Sequence, residues 1–125
     1  MTMPRFDKHP LPGDSIVWRN GGFTLTARVE FDDATKPREV DCYSEEDIEK
    51  WESDEWFYVG IVVSAEYKER LLDDTAASLW GLECDLTEDS SDYLSDVAAE
   101  LFAEALQVAK VELTKLRTIT NTEED

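Results

Sequence analysis

Apolar and polar positions alternate along residues 23–31. Phe23, Leu25, Ala27, Val29 and Phe31 fall on one side of an extended chain, and Thr24, Thr26, Arg28 and Glu30 on the other. That period of two predicts a half-buried strand. Asn20-Gly21-Gly22 just ahead of it is a hairpin signal, with residues 15–18 as the partner strand. Residues 56–66 (WFYVGIVVSAE) are the richest β-branched and aromatic run and predict the strongest strand. Gly60 inside that run predicts a bulge or a close approach to the backbone. Residues 77–85 (ASLWGLECD) predict a further strand with its own Gly81, antiparallel to 56–66, after a polar connection over 68–75.

The helical pattern occurs twice. Ser44 followed by Asp47 resembles a capping box and opens a short acidic helix to about Ser53, with Ile48 and Trp51 as its only apolar positions. Residues 89–116 predict a long helix. At 100° per residue Leu94, Val97, Ala98, Leu101, Phe102, Ala105, Leu106, Val108 and Ala109 share one broad arc. Asp89 and Asp92 near its start, and Lys110, Lys115 and Arg117 near its end, complement the helix dipole. Residues 1–14, with three of the four prolines, predict an extended arm; 32–41 a polar loop; 118–125 an acidic, frayed tail. The whole reads as an α+β fold in ββαββα order. A single domain over 15–117 holds an antiparallel sheet of three or four strands, with the helices mainly on one face.

Charge changes this picture. The net charge is −18, yet residues 1–40 carry six acids and six Lys/Arg and sum to zero. Residues 41–125 carry twenty-four acids against six Lys/Arg and hold all of it. Direct binding to phosphates or to an anionic membrane is excluded by the lack of a basic patch, and basic protein surfaces are the natural complement. A hydrophobic fraction of 42% and thirteen aromatics argue for a packed core. Cys42 and Cys84 fit no zinc spacing and are expected to stay reduced. No signal-peptide pattern and no run near ~20 apolar residues is present, which predicts a cytoplasmic chain.

Four acids, Asp92, Asp96, Glu100 and Glu104, recur every fourth residue on the long helix. At ~1.5 Å rise per residue they form a carboxylate ladder with a rung every ~6 Å. Each like-charge pair costs roughly 0.2–0.5 kcal/mol of helix stability. Over residues 45–55 Glu45, Glu46, Asp47, Glu49, Glu52, Asp54 and Glu55 stand against one Lys50. Two readings follow: a solvated surface that keeps the chain soluble, or two anionic rods that imitate a phosphate backbone. The second would use Asp92, Asp96, Glu100 and Glu104 with Glu45, Glu46, Glu49 and Glu52 against a Lys/Arg-lined groove.

Other chemistry finds little support. His9, the sole histidine, lies in the arm, and neither a P-loop nor a dinucleotide-binding glycine pattern is present. No catalytic residue, cofactor or dedicated metal site is expected. DLTEDSSDYLSD over 85–96 invites comparison with a calcium loop, but Ser90 stands where that loop needs glycine and a strand precedes it. Trp56, Tyr58 and Trp80 are core candidates; a bare sheet face would instead make them an aromatic interface for another protein or a homodimer.

The segments DCYSEEDIEKWESDEWFYVGIVVSA (41–65), SLWGLE (78–83) and Glu104-Ala105-Leu106 together resemble small uncharacterised proteins of bacteriophages and prophages. The resemblance covers about residues 41–110 and implies a mobile-element accessory protein working in a bacterial cytoplasm. It implies no catalytic residues. Combined with the ladder, it predicts a non-enzymatic DNA mimic that inhibits a host nucleic-acid-binding defence protein of the restriction or CRISPR type. The competing expectation is a homo-oligomeric or adaptor protein that uses the aromatic sheet surface.

Overall fold

A computed structural model of the chain describes residues 3–37, 42–85 and 88–124, with side chains described as far as Thr118. Its elements are β1 (Ser15–Asn20), β2 (Phe23–Phe31), α1 (Glu45–Glu52), β3 (Trp56–Tyr67), β4 (Arg70–Asp85) and α2 (Ser91–Glu124). This is the ββαββα order of an α+β fold. The strands form one antiparallel sheet in the order β1-β2-β3-β4. Of the predicted polar loop, residues 38–41 lie outside the described residues, as does the side-chain structure of the tail beyond Thr118.

Gly21 and Gly22, both at positive φ, make the two-residue turn between β1 and β2. The turn between β3 and β4 is equally short. It consists of Lys68 and Glu69, both also at positive φ, a costly conformation for residues with a Cβ. The predicted connection over 68–75 is therefore corrected: only two residues turn, and β4 starts at Arg70. A hairpin without Asn or Gly carries no local signal. β4 spends 16 residues opposite 12 of β3, the surplus going into register shifts at Val59/Ile61, Val63/Ala65 and Ala65/Glu66. Such bulges blunt an exposed sheet edge.

The main core lies between α2 and the sheet face carrying Leu25, Ala27, Val29, Val59, Ile61, Val63 and Ala65. Leu94, Ala98, Leu101, Phe102, Ala105, Leu106 and Ala109 supply the helix side, along the arc that the periodicity predicts. Three alanines in that row bring the helix axis close to the strands, and Phe102 packs on Trp18 at 5.8 Å between ring centroids. α2 is 34 residues long and continues eight residues past the predicted end at Leu116. No Gly or Pro follows Gly81, so nothing in the chain stops it.

β3 is buried on both faces. Opposite α2 its side chains are Trp56, Tyr58, Val62 and Ser64, with Gly60 between them. α1 packs against this strand: the indole N–H of Trp56 donates to the Asp47 carbonyl at 2.9 Å, and Ile48 is buried. Tyr43 stacks on Trp56 at 5.3 Å. Farther along, Arg28 of β2, in register with Val62 of β3, reaches Asp74 of β4 at 4.0 Å. Gly60 is the close approach, with the bulge in β4 opposite it. A Cβ at Gly60 would sit 2.2 Å from Trp80 Cε3, so only glycine lets that ring lie on the strand.

Asp32, just past β2, is a buried carboxylate that ties three segments together. It accepts from the Ala34 and Thr35 amides at 3.0 and 3.1 Å, the Thr35 hydroxyl at 2.7 Å and the Gly81 amide at 2.9 Å. Its own amide donates to Tyr58 O at 3.0 Å. Burial pushes its pKa upward, but the four donated hydrogen bonds outweigh that and hold it below the ordinary value. The residue has no signal in the sequence beyond standing at a strand end.

Two predictions follow from this second layer. Gly60→Ala is expected to cost about 1–3 kcal/mol by overpacking, and Trp80→Ala in the same chain to recover most of that loss in a denaturant double-mutant cycle. Asp32→Asn should cost about 2–3 kcal/mol at neutral pH. Because the folded-state pKa is depressed, the wild-type contribution is complete above the unfolded value near 4 and fades as pH falls through the folded one. Urea melts at pH 7 and pH 3 should therefore show the wild-type advantage over the variant shrinking in acid.

Candidate functional site

The helical repeat places Asp92, Asp96, Glu100 and Glu104 on the exposed side of α2, opposite the core arc. The ladder is not bare. Arg5 bridges its first two rungs, 3.2 Å from Asp92 and 3.4 Å from Asp96. The arm delivers this cation because Phe6 is buried in the core and its amide donates to the buried Ser95 hydroxyl at 2.8 Å. Pro10 is also buried, its carbonyl accepting from the Cys84 thiol at 3.5 Å. Arg5 escaped the sequence reading because eighty-seven residues separate it from Asp92. Glu100 and Glu104 are the rungs beyond its reach.

On α1 the capping box forms as the spacing predicts: Ser44 Oγ accepts the Asp47 amide at 3.1 Å and Asp47 accepts the Ser44 amide at 3.4 Å. Glu45, Glu46, Glu49 and Glu52 are all exposed, and Glu46 pairs with Lys50 at 3.7 Å. The two acidic rods do not join into one surface. α1 packs on the Trp56 side of β3 and α2 on the Val59 side, so the sheet stands between them.

The aromatic interface is corrected in two of its three residues. Trp56 is 8% and Tyr58 2% exposed, covered by α1 and Tyr43, while Trp80 is 46% exposed. The expectation of bare rings assumed a naked sheet face, and the 42–55 segment closes it. Cys42 and Cys84 are free, one exposed and one buried.

A cleft of about 630 Å³ opens where α1, the end of β4 and the start of α2 meet. Tyr43, Trp56 and Tyr93 give it rings, and Asp47, Glu83, Asp85, Glu88 and Asp89 give it five carboxylates. The described lining includes no lysine or arginine. Tyr43 donates its hydroxyl proton to Glu83, and burial together with that carboxylate drives the phenol pKa far upward, so it stays a neutral donor. Asp89 accepts the His9 amide at 3.1 Å and the Ser91 amide at 2.9 Å, which hold its pKa near about 2 and keep it anionic. Tyr93 is 48% exposed at the rim. Behind Tyr43, the Tyr58 hydroxyl is buried beside the Tyr43 hydroxyl, and burial raises its pKa.

Sequence reasoning weighed 85–96 only as a calcium loop. Of that run Asp85, Glu88, Asp89, Ser90 and Tyr93 line the cleft, together with Asp47 and Tyr43. Among the described residues no group of three or more His, Cys, Asp or Glu converges closely enough to hold a metal ion. No described helix is long and apolar enough to cross a membrane. Compared with known proteins, the chain matches no family model, no curated protein and no solved structure.

Proposed function

We propose that this chain is a non-enzymatic acidic binding protein that occupies the basic, nucleic-acid-binding surface of another protein in place of phosphates. The observation that carries this reading is the exposure of Asp92, Asp96, Glu100 and Glu104 along the outer side of α2, in a chain that has no Lys or Arg between Leu71 and Ala109. Such a surface steers basic partners toward it and repels nucleic acid. The resemblance to phage proteins adds the setting, the cytoplasm of a bacterial host, and that setting taken with the ladder makes a restriction or CRISPR-type defence protein the target class.

Magnitudes refine which rungs matter. The ~6 Å rung spacing on a helix compares with about 3.4 Å of duplex axis per phosphate of one DNA strand, so the ladder carries roughly half the axial charge density of a single strand. Arg5 offsets Asp92 and Asp96, which shifts the binding weight to Glu100 and Glu104. The alternative, a homo-oligomer or adaptor using aromatic rings, now rests on Trp80 and its exposed neighbour Leu79 on edge strand β4. Like-charged copies of −18 each oppose it at low salt.

The test is capture from a bacterial lysate on the tagged chain, with elution by a salt step and separately by duplex DNA. Expected is a nucleic-acid-binding protein that both treatments release, and that Glu100→Lys with Glu104→Lys binds at least tenfold more weakly while its thermal melt is unchanged. Retention through the DNA wash, or full binding by the double variant, would overturn the proposal.

A further inference from the structure

We propose that the outer edge of β4 over residues 75–82 takes up an extended segment of another protein as a further strand, with an apolar middle and Lys or Arg at both ends. That the other protein is the basic partner rests on the function proposed above; the edge itself does not. β4 is the last strand of the sheet, and its outer side pairs with no described strand. Exposed edges are ordinarily guarded by charge, above all by lysine. Residues 75–82 (TAASLWGL) carry none, in a chain in which 34% of residues are charged. Depletion of charge around an exposed tryptophan is the composition of an interface core rather than of a solvated surface. Register shifts blunt the edge on either side, yet Ala77, Ser78 and Leu79 between them pair regularly with Val63, Val62 and Ile61.

Two side chains fix the mode of docking. Leu79 is 45% exposed and belongs, by its register with Ile61, to the α2 side of the sheet. Trp80 is 46% exposed, and its ring lies on Gly60 on the other side. A body resting on one face of the sheet would cover one of the two. A strand added at the edge sends alternate side chains to both faces and covers them together. The Trp80 ring is also held in place: Gly60 seats one of its faces, so little freedom is lost when the other is covered. Charge then chooses the occupant. Asp73 and Asp74 precede the uncharged window, and Glu83 and Asp85 follow it. A second copy paired antiparallel about Leu79 would set Asp73 against Asp85, and like charges directly opposite destabilise a sheet. A strand carrying cations at both ends meets acid at both instead.

Three probes test this: acetyl-Lys-Thr-Val-Thr-Val-Thr-Lys-amide, the same peptide with glutamate in place of both lysines, and the lysine peptide with both valines N-methylated. Each is titrated into the full, isotope-labelled chain, reading the Trp80 indole and the Ala77, Ser78 and Leu79 amides. Expected is saturable movement of all these signals, with the lysine peptide at least fivefold tighter than either of the others. Leu79→Lys, at an exposed position, should weaken the lysine peptide at least fivefold with an unchanged thermal melt. Glu104→Lys on α2 should leave its affinity within twofold. Full binding by the N-methylated or the glutamate peptide, or by Leu79→Lys, would overturn the inference. Movement of the same signals with chain concentration alone would assign the edge to a second copy and overturn it as well. DNA-displaceable capture that survives while no peptide seats would leave the proposed function standing and remove only this edge. A seated lysine peptide without such capture would do the reverse.

Discussion

Burial of β3 on both faces is the constraint from which the rest of the architecture follows. A central strand reading WFYVGIVVSAEY leaves apolar groups pointing both ways, and a single helix can cover only one of them. α2 takes the Val59, Ile61, Val63 and Ala65 side with a row of small and large residues. Among the described residues the other side has no second long helix, and it is closed piecemeal by Tyr43, Ile48 of α1 and the ring of Trp80. Each piece has its own geometric condition. Trp80 requires a glycine beneath it, and the Gly81 bulge that aims it requires the Asp32 carboxylate to hold its amide.

The same piecemeal layer creates the cleft. α1 is only eight residues long and cannot span the sheet end, so a gap remains between it and the start of α2. Asp47 at that gap serves the capping box and Asp89 the α2 start, while Glu83 of β4 accepts from the Tyr43 hydroxyl. Asp47 and Asp89, each bonded to backbone amides, thus share one concave surface with Glu83.

Electrostatics and packing are coupled through the arm as well. Phe6 and Pro10 are held by apolar burial, and that anchoring delivers Arg5 to the ladder. The Asp92–Asp96 pair loses its like-charge penalty in part, while Glu100 and Glu104 retain theirs. At physiological salt the Debye length is about 8 Å, so exposed rungs interact chiefly with their immediate neighbours. Helix stability therefore depends on the core row of α2 rather than on its outer face.

Local patterns in the sequence determined the element order, the strand at 23–31, the capping box at Ser44 and the buried arc of α2, because period, caps and glycines act within a few residues. They also determined which carboxylates are exposed, since an amphipathic helix has one side for its core. Only the tertiary structure decided that β4 begins at Arg70, that the two acidic rods face opposite sides of the sheet, and that Trp56 and Tyr58 are covered. It alone paired Arg5 with Asp92 and Asp32 with Gly81, and gathered Tyr43, Glu83 and Tyr93 into a cleft. The Arg5–Asp92, Asp32–Gly81 and Tyr43–Glu83 contacts join residues forty or more positions apart, and no periodicity encodes a contact of that separation.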